Sequence, residues 1–272
     1  MASNLYQPGS ADVTNPSSIE RLDLLEQLIP VIRAAGDVVM AIYETDFAVR
    51  GKDDASPVTE ADERAEALIV PALEALLPGV PVVAEEAVAA GLIPAVAERF
   101  WLVDPLDGTK EFISRNGEFT VNIALIEHGV PVLGLVHAPV QKRIYAGAAG
   151  CGAFIENCIG RRPIRCRRPP VEGLTVVASR SHGDAAALDA FLAGRKVAEL
   201  KSAGSSLKLC LIAAGEADLY PRLGRTMEWD IAAGHAVLAA AGGRVTELAG
   251  CDLSYGKPGF DNPHFVARGL EG

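Results

Sequence analysis

Several absences narrow this 272-residue sequence before any residue is singled out. Positive charge is in short supply: 25 Lys and Arg stand against 35 Asp and Glu, a formal net charge of −10. A nucleic-acid partner is therefore not expected, because neutralising a phosphate backbone requires a basic face. A small phosphorylated ligand stays open, but it would need metal ions or a local cluster of cations to overcome the global field. There is no paired-cysteine framework. Cys151, Cys158, Cys166, Cys210 and Cys251 are odd in number and include no Cys-x-x-Cys spacing. That pattern argues against a zinc site or a disulfide scaffold and for reduced thiols in a cytoplasm. No apolar run is long enough to span a membrane before charge or proline interrupts it. Residues 1–18 are polar and lack the apolar segment of a secretory leader. We expect a cytoplasmic protein without an integral membrane segment, peripheral association being left open. No internal repeat or low-complexity tract is visible. What is present is apolar content of 49%, enough for a sizeable core.

Residues 1–17, rich in Ser, Asn, Pro and Gly, read as a disordered polar tail. From Ile19 onward Leu22, Leu25, Leu28, Ile32, Ala35, Val39 and Ile42 recur at helical spacing, with Pro30 expected to kink or open the helix. A charged loop over 50–57 leads to a second helix, expected from Thr59 as N-cap to about Leu77. β-like runs follow at 80–84, 100–103, 119–127, 132–138 and 143–147, with His128 and Gly129 in a hairpin turn. The basic stretch 151–170, which holds Arg161, Arg162, Arg165, Arg167 and Arg168, reads as a solvated connecting loop. Strands and helices then alternate at 174–179, 185–192, 197–201, 205–214, 217–220, 230–241, 244–246 and 265–267. The division expected is an α+β unit over 18–150 and an α/β unit over 151–272.

The most informative segment is Trp101-Leu-Val-Asp104-Pro-Leu-Asp107-Gly-Thr109. An apolar strand delivers Asp104, Pro105 is expected to end strand pairing, and Gly108 permits a tight path into the next element. Two carboxylates so spaced can converge on a hard cation together with the Leu106 carbonyl. Cations held this way clamp the attacking and leaving oxygens of a phosphoryl displacement. The amides of Gly108 and Thr109 are placed to cradle a phosphate. An ordinary Asp-Pro-x-Asp-Gly surface turn is the competing reading, and the position after a buried strand favours the site. Glu85, at the end of Val82-Val-Ala-Glu85-Glu86, could share a metal with Asp104, whereas Glu86 reads as a loop-edge acid. Asp230 is also explained as the N-cap of an Ala-rich helix, and Asp62, three after Thr59, as part of a capping box. Haloacid-dehalogenase-type phosphatases use a similar string with a single residue between the two Asp. Here two residues intervene, so a nucleophilic Asp does not carry over and water is the expected nucleophile.

Taken together these segments resemble the inositol-monophosphatase superfamily and, within it, the bacterial 3′(2′),5′-bisphosphate nucleotidase type. Asp104-Pro-Leu-Asp-Gly-Thr-Lys-Glu-Phe112, Arg115-Asn-Gly-Glu-Phe-Thr-Val-Asn-Ile-Ala124 and Gly204-Ser-Ser-Leu-Lys208 carry the closer match. Ser179-Arg-Ser-His182 and Leu219-Tyr-Pro-Arg222 add to it. The resemblance implies a layered αβαβα sandwich of two subdomains, with two or three Mg2+ ions at their junction and inhibition by Li+. It implies metal ligation by Glu85, Asp104, Asp107, Asp230 and the Leu106 carbonyl. It gives Asp62 and Thr109 the orientation and deprotonation of the attacking water. It places Gly108, Thr109, Ser179, His182, Ser205, Lys208, Arg222 and Asp230 around the substrate, His182 toward base or ribose. Lys208 and Arg222 suit a retained phosphate, an Arg fork matching two of its oxygens; their alternative is plain surface charge. The expected reaction is hydrolysis of adenosine 3′,5′-bisphosphate to AMP and phosphate.

Two other readings stay open. An inositol monophosphatase or fructose-1,6-bisphosphatase would keep the same metal centre, and only the Ser179–His182 and Gly204–Lys208 segments speak against it. A non-catalytic sensor of nucleotide or metal is the second, and the complete set of acids with Thr109 weighs against it. Whether the chain is a monomer or a homodimer is not readable from these residues.

Overall fold

The computed structural model describes residues 16–45, 57–179 and 185–271. The expected tail up to residue 15, the charged loop as far as residue 56, and His182 lie outside them. The first helix, α1 (Pro16–Tyr43), buries Leu25, Leu28, Ile32, Ala35, Val39 and Ile42 along one face, as the 3.6-residue period requires. It runs on through Pro30 without ending, held by buried Leu28, Ile29 and Ile32 on either side of the proline. Helix α2 (Pro57–Leu76) starts two residues before Thr59, so Thr59 is not its cap. A proline in the first turn has no amide to leave unpaired, which lets Pro57 open the helix.

The first sheet contains β1 (Val82–Ala84), β2 (Arg99–Asp107), β3 (Thr120–Glu127), β4 (Val130–Ala138), β5 (Arg143–Ala148), β6 (Gly152–Asn157) and β7 (Gly160–Ile164), paired in that order. Between β1 and β2 lies α3 (Glu85–Ala89), and between β2 and β3 lies α4 (Thr109–Ile113). β1 and β2 are parallel, and the other neighbours are antiparallel. The turn between β3 and β4 uses positive φ at His128 and Gly129, as the sequence indicated. Residues 152–164 of the stretch expected as a connecting loop form the β6–β7 hairpin, so the first sheet extends past residue 150 to Ile164, while 165–170 carry no regular structure. Arg161 spans Glu26 and Glu156 there and stacks over Phe154.

The second sheet has the order β11–β12–β10–β8–β9. Its strands are β8 (Leu174–Ser179), β9 (Val197–Ala203), β10 (Leu219–Arg222), β11 (Arg244–Glu247) and β12 (Phe265–Arg268). Helices α5 (Ala185–Leu192), α6 (Leu207–Ala213) and α7 (Glu228–Ala240) alternate with them.

Side chains alternate across each strand, so β2 serves two cores at once. Trp101 and Val103 pack with α1 and α2, while Phe100 and Leu102 face a central core with Leu209, Ala233 and Val237 of α6 and α7. A smaller cluster of Val176, Leu219 and Val266 lies under Phe191 and Leu192 of α5. The order of layers is α1/α2, first sheet, α6/α7, second sheet, α5, the αβαβα sandwich expected. No helix among the described residues is long and apolar enough to cross a membrane. All five cysteines are free thiols.

Candidate active site

Parallel pairing of Ala84 with Val103 brings Glu85, at the start of α3, beside Asp104 on β2. The amides of Glu86 and Ala87 donate to the Glu66 carboxylate at 2.9 Å each, which fixes the start of α3 and with it Glu85. β2 pairs with β3 through Asp104 and Asn122, slips, and pairs again at Asp107 and Thr120. Pro105 therefore interrupts the ladder without ending it. The missing proline amide is absorbed in a bulge, closed by the Leu106 amide donating to Asp104 Oδ1 at 3.0 Å. Asp107 re-enters the strand, and Gly108 follows at φ 100°, a conformation that favours glycine.

Asp230 arrives from the opposite side, on α7. It is the third residue of that helix rather than its N-cap, and its carboxylate accepts the Met227 amide at 2.8 Å. Glu228 anchors the same turn, fully buried against Lys257 Nζ at 2.6 Å and two amides. One ligand oxygen each from Glu85, Asp104 and Asp230 lie within 4.8 Å of one another. Asp107 stands apart from that trio, held by the Ser206 amide at 2.7 Å and by Asn122 Nδ2 at 3.4 Å. Leu106, Gly108 and the exposed Thr109 line the same cleft.

Burial is the leading reason that every acid here resists ionisation. It raises Asp104 well above the carboxylate range, helped by Glu85, Asp107 and Asp230. Glu85 rises to about 7, Asp230 to about 8 and Asp107 to about 6, the last restrained by Lys208 and the Ser206 amide. Asp62, buried on α2, rises to about 9 through burial and then the charges of Glu86 and Glu85. Glu86, expected as a loop-edge acid, is half-buried and raised by burial and Glu66. An all-oxygen donor set that cannot ionise together without added positive charge fits hard divalent cations such as Mg2+.

Cations from the second sheet and α6 line the same cleft. Lys208 is buried rather than a surface charge, and desolvation brings it down to about 8. Its Nζ donates to the carbonyls of Ser205 at 2.6 Å and Ala203 at 3.2 Å, and lies over the Tyr220 ring. Arg222 ends β10, donates to the Arg225 carbonyl at 2.7 Å, and lines the cleft with Ser179 and Ser205.

Glu66, Asn122 and Ser206 went unrecognised in the sequence. Asn122 and Ser206 lie within quoted motifs but gave no chemical signal of their own. Glu66 lies one helical turn after Asp62, a spacing that could have suggested it.

Such a cleft, with carboxylates that could hold cations and with Lys208 and Arg222 also lining it, suits an anionic ester. Fold and site place the chain among the layered α/β phosphatases. It belongs to the inositol monophosphatase family, whose model matches residues 21–268. The 3′(2′),5′-bisphosphate nucleotidase CysQ of Escherichia coli K12 is 49% identical over 247 residues, covering 89% of this chain and 98% of that protein. The protein of the same name from Buchnera aphidicola is 39% identical over 256 residues, 91% and 94% of the two chains. The crystal structure of CysQ from Bacteroides thetaiotaomicron superposes with a TM-score of 0.79 at 38% identity, over 91% and 97% of the two chains. An inositol monophosphatase from Zymomonas mobilis, at 24% identity and TM-score 0.76 over 91% and 92% of the two chains, shares the fold.

Proposed function

We propose that this chain is a Mg2+-dependent 3′(2′),5′-bisphosphate nucleotidase that hydrolyses adenosine 3′,5′-bisphosphate to AMP and phosphate in the cytoplasm. The observation that carries this reading is the buried Lys208, which lines the cleft with Arg222 and Ser205 beside the carboxylates. A monoester with one phosphate needs only the acidic floor. A second set of phosphate partners is useful to a substrate that keeps one phosphate while losing another. The names of the 49% and 39% identical relatives support the same substrate class.

Glu85, Asp104 and Asp230 would hold one cation, and Asp107 with the Leu106 carbonyl a second. Cations bound there supply charge neutralisation at the phosphoryl and leaving oxygens and a lower pKa for water. Asp62, whose anion would be favoured by cations held on the neighbouring carboxylates, takes the proton of the attacking water on a carboxylate oxygen, while the Thr109 hydroxyl orients that water. The water oxygen bonds to phosphorus as the bond from phosphorus to the 3′ oxygen breaks, that oxygen takes a proton from a solvent water, and Asp62 returns its own proton to solvent. Lys208 and Arg222 hold the 5′-phosphate throughout, with Ser179 and the Gly108 and Thr109 amides completing the lining. The burial of Asp104, with Glu85 and Asp230 partly buried beside it, limits screening of these charges by bulk water.

The deciding experiment measures phosphate release from adenosine 3′,5′-bisphosphate, inositol 1-phosphate and fructose 1,6-bisphosphate, each with Mg2+ and with chelator. Preference for the nucleotide, abolished by chelation, is the result expected. Equal or greater turnover of the sugar phosphates would move the chain to a broader phosphatase, and no turnover at all would favour a sensor.

A further inference from the structure

The segment Arg115-Asn-Gly-Glu118 has no part in the reaction above, yet it ties two distant elements together. The Arg115 guanidinium donates to the carbonyls of Tyr43 at 3.0 Å and Thr45 at 2.5 Å, and stacks over the Tyr43 ring. Asn116 Oδ1 accepts the Glu118 amide at 2.9 Å, which sets the turn. Glu118 then reaches the second sheet, where its Oε2 accepts the Gly204 amide at 2.9 Å. Only glycine fits at that contact: a Cβ on Gly204 would stand 2.6 Å from the Glu118 carbonyl oxygen and 2.8 Å from Glu111 Cγ.

The tethered turn is itself unusual. Ser205 sits at φ 42°, a left-handed conformation rare for a residue with a side chain. The turn is pinned at three points: by Glu118 at Gly204, by Asp107 at the Ser206 amide, and by Lys208 at the Ala203 and Ser205 carbonyls. Ser205 lines the cleft, and its hydroxyl oxygen is buried with no partner among the described residues. A buried hydroxyl left unpaired is costly, and a ligand acceptor in the cleft would satisfy it.

We propose that Glu118 is a positioning residue for substrate recognition. By holding Gly204 it keeps the turn in the one conformation that offers the Ser205 hydroxyl to an acceptor oxygen of the substrate. The proposal rests on the phosphate-ester reading above and adds a residue to it that touches neither metal nor substrate.

The test compares the parent protein with Glu118→Ala, which removes the acceptor, and Glu118→Gln, which keeps an acceptor oxygen without the charge. Two quantities are read: steady-state kinetics on adenosine 3′,5′-bisphosphate with Mg2+, and amide hydrogen exchange across residues 203–207. Glu118→Ala should raise KM about tenfold, the order expected for one hydrogen bond to a charged acceptor, and change kcat by less than about twofold. Exchange at Gly204 and Ser206 should quicken, and Glu118→Gln should recover both readouts. An unchanged KM overturns the proposal, even with faster exchange, because Glu118 would then be a structural tie only. A fall in kcat at constant KM overturns it too, as does Glu118→Gln failing to recover KM. A parent protein inactive on the bisphosphate would sink the substrate reading instead. The same KM comparison would then be made with inositol 1-phosphate, and the exchange comparison would stand.

Discussion

The Ser206 amide donates to Asp107 Oδ2 at 2.7 Å, joining the end of β2 to the turn before α6 across 99 positions of sequence. One carboxylate thus belongs to both walls of the cleft. It completes the acidic floor built on the first sheet and anchors the turn that carries Ser205 and Lys208. The electrostatics follow the same division: Asp107 rises only to about 6 while Asp230 rises to about 8, because Lys208 and the amide stabilise its anion.

Asp107→Asn separates these two duties. Asparagine keeps an oxygen for the Ser206 amide, so the turn and the melting temperature should be little changed. It removes the anionic donor, so turnover should fall by about two orders of magnitude or more. Near-parent turnover at saturating Mg2+, measured by phosphate release, would remove Asp107 from the metal set.

Lys208→Met tests the cationic wall. Methionine fills the buried space beside Tyr220 without the charge or the two carbonyl contacts. KM for adenosine 3′,5′-bisphosphate should rise about tenfold to a hundredfold, the range for a lost charge-assisted contact, with a smaller rise for inositol 1-phosphate. Equal rises for both substrates would exclude a role in holding a second phosphate.

The carboxylates that the structure gathers in the cleft were legible because strand ends and Asp-Gly turns expose them in sequence. Asp104 follows an apolar run, Asp107 precedes Gly108, and the structure places Glu85 and Asp230 beside Asp104. The hairpin of β6 and β7 was not legible, since Gly160, Arg161, Arg162 and Pro163 are all exposed and show no apolar alternation. Edge strands carry such charge and proline to avoid pairing with other chains, which makes them look like loops. Glu66 and Ser206 were invisible for another reason. They act on or through backbone amides, and amides leave no trace in residue type.

Cation binding should be visible as stability. Ligand at about a hundredfold its Kd stabilises a fold by about 2.7 kcal/mol, which for a chain of this size is about 5–10 °C in Tm. Asp104→Asn removes the most deeply buried of these acids while keeping an acceptor for the Leu106 amide. The variant should melt higher than the parent in chelator and gain little from Mg2+. An Mg2+ increment equal to the parent's, read by thermal scanning with and without chelator, would argue that Asp104 is not a ligand.

The basic stretch after β7 has a structural use away from the cleft. Arg167 grips Asp218 with two nitrogens at 2.8 and 3.0 Å, and the Thr175 amide donates to the same carboxylate at 2.7 Å. The Asp218 side chain is fully buried and Arg167 is partly exposed. Removing the buried partner strands the guanidinium and the amide, so Asp218→Ala should cost about 3 kcal/mol. Tm should fall by about 6–12 °C, with kcat at 25 °C unchanged. A shift under about 2 °C would mean that water replaces the carboxylate.

His235 gives the fold an acid limit. It is buried on α7, with Nδ1 2.9 Å from the Tyr255 hydroxyl, and burial lowers its pKa from the usual 6.5 to about 4. The folded chain therefore holds the imidazole neutral where the unfolded chain would protonate it. The resulting stability is fully present above pH 6.5 and is lost as the pH falls from there toward 4. The whole effect is on the order of 3 kcal/mol. His137, lowered by burial against α1, adds a loss of the same sign. Tm measured from pH 7.5 to 4.5 should drop more steeply for the parent than for His235→Asn, which cannot gain a proton. The comparison of slopes removes whatever the substitution costs at neutral pH. Parallel slopes would mean that His235 takes its proton without unfolding, with the Tyr255 hydroxyl turning to accept it.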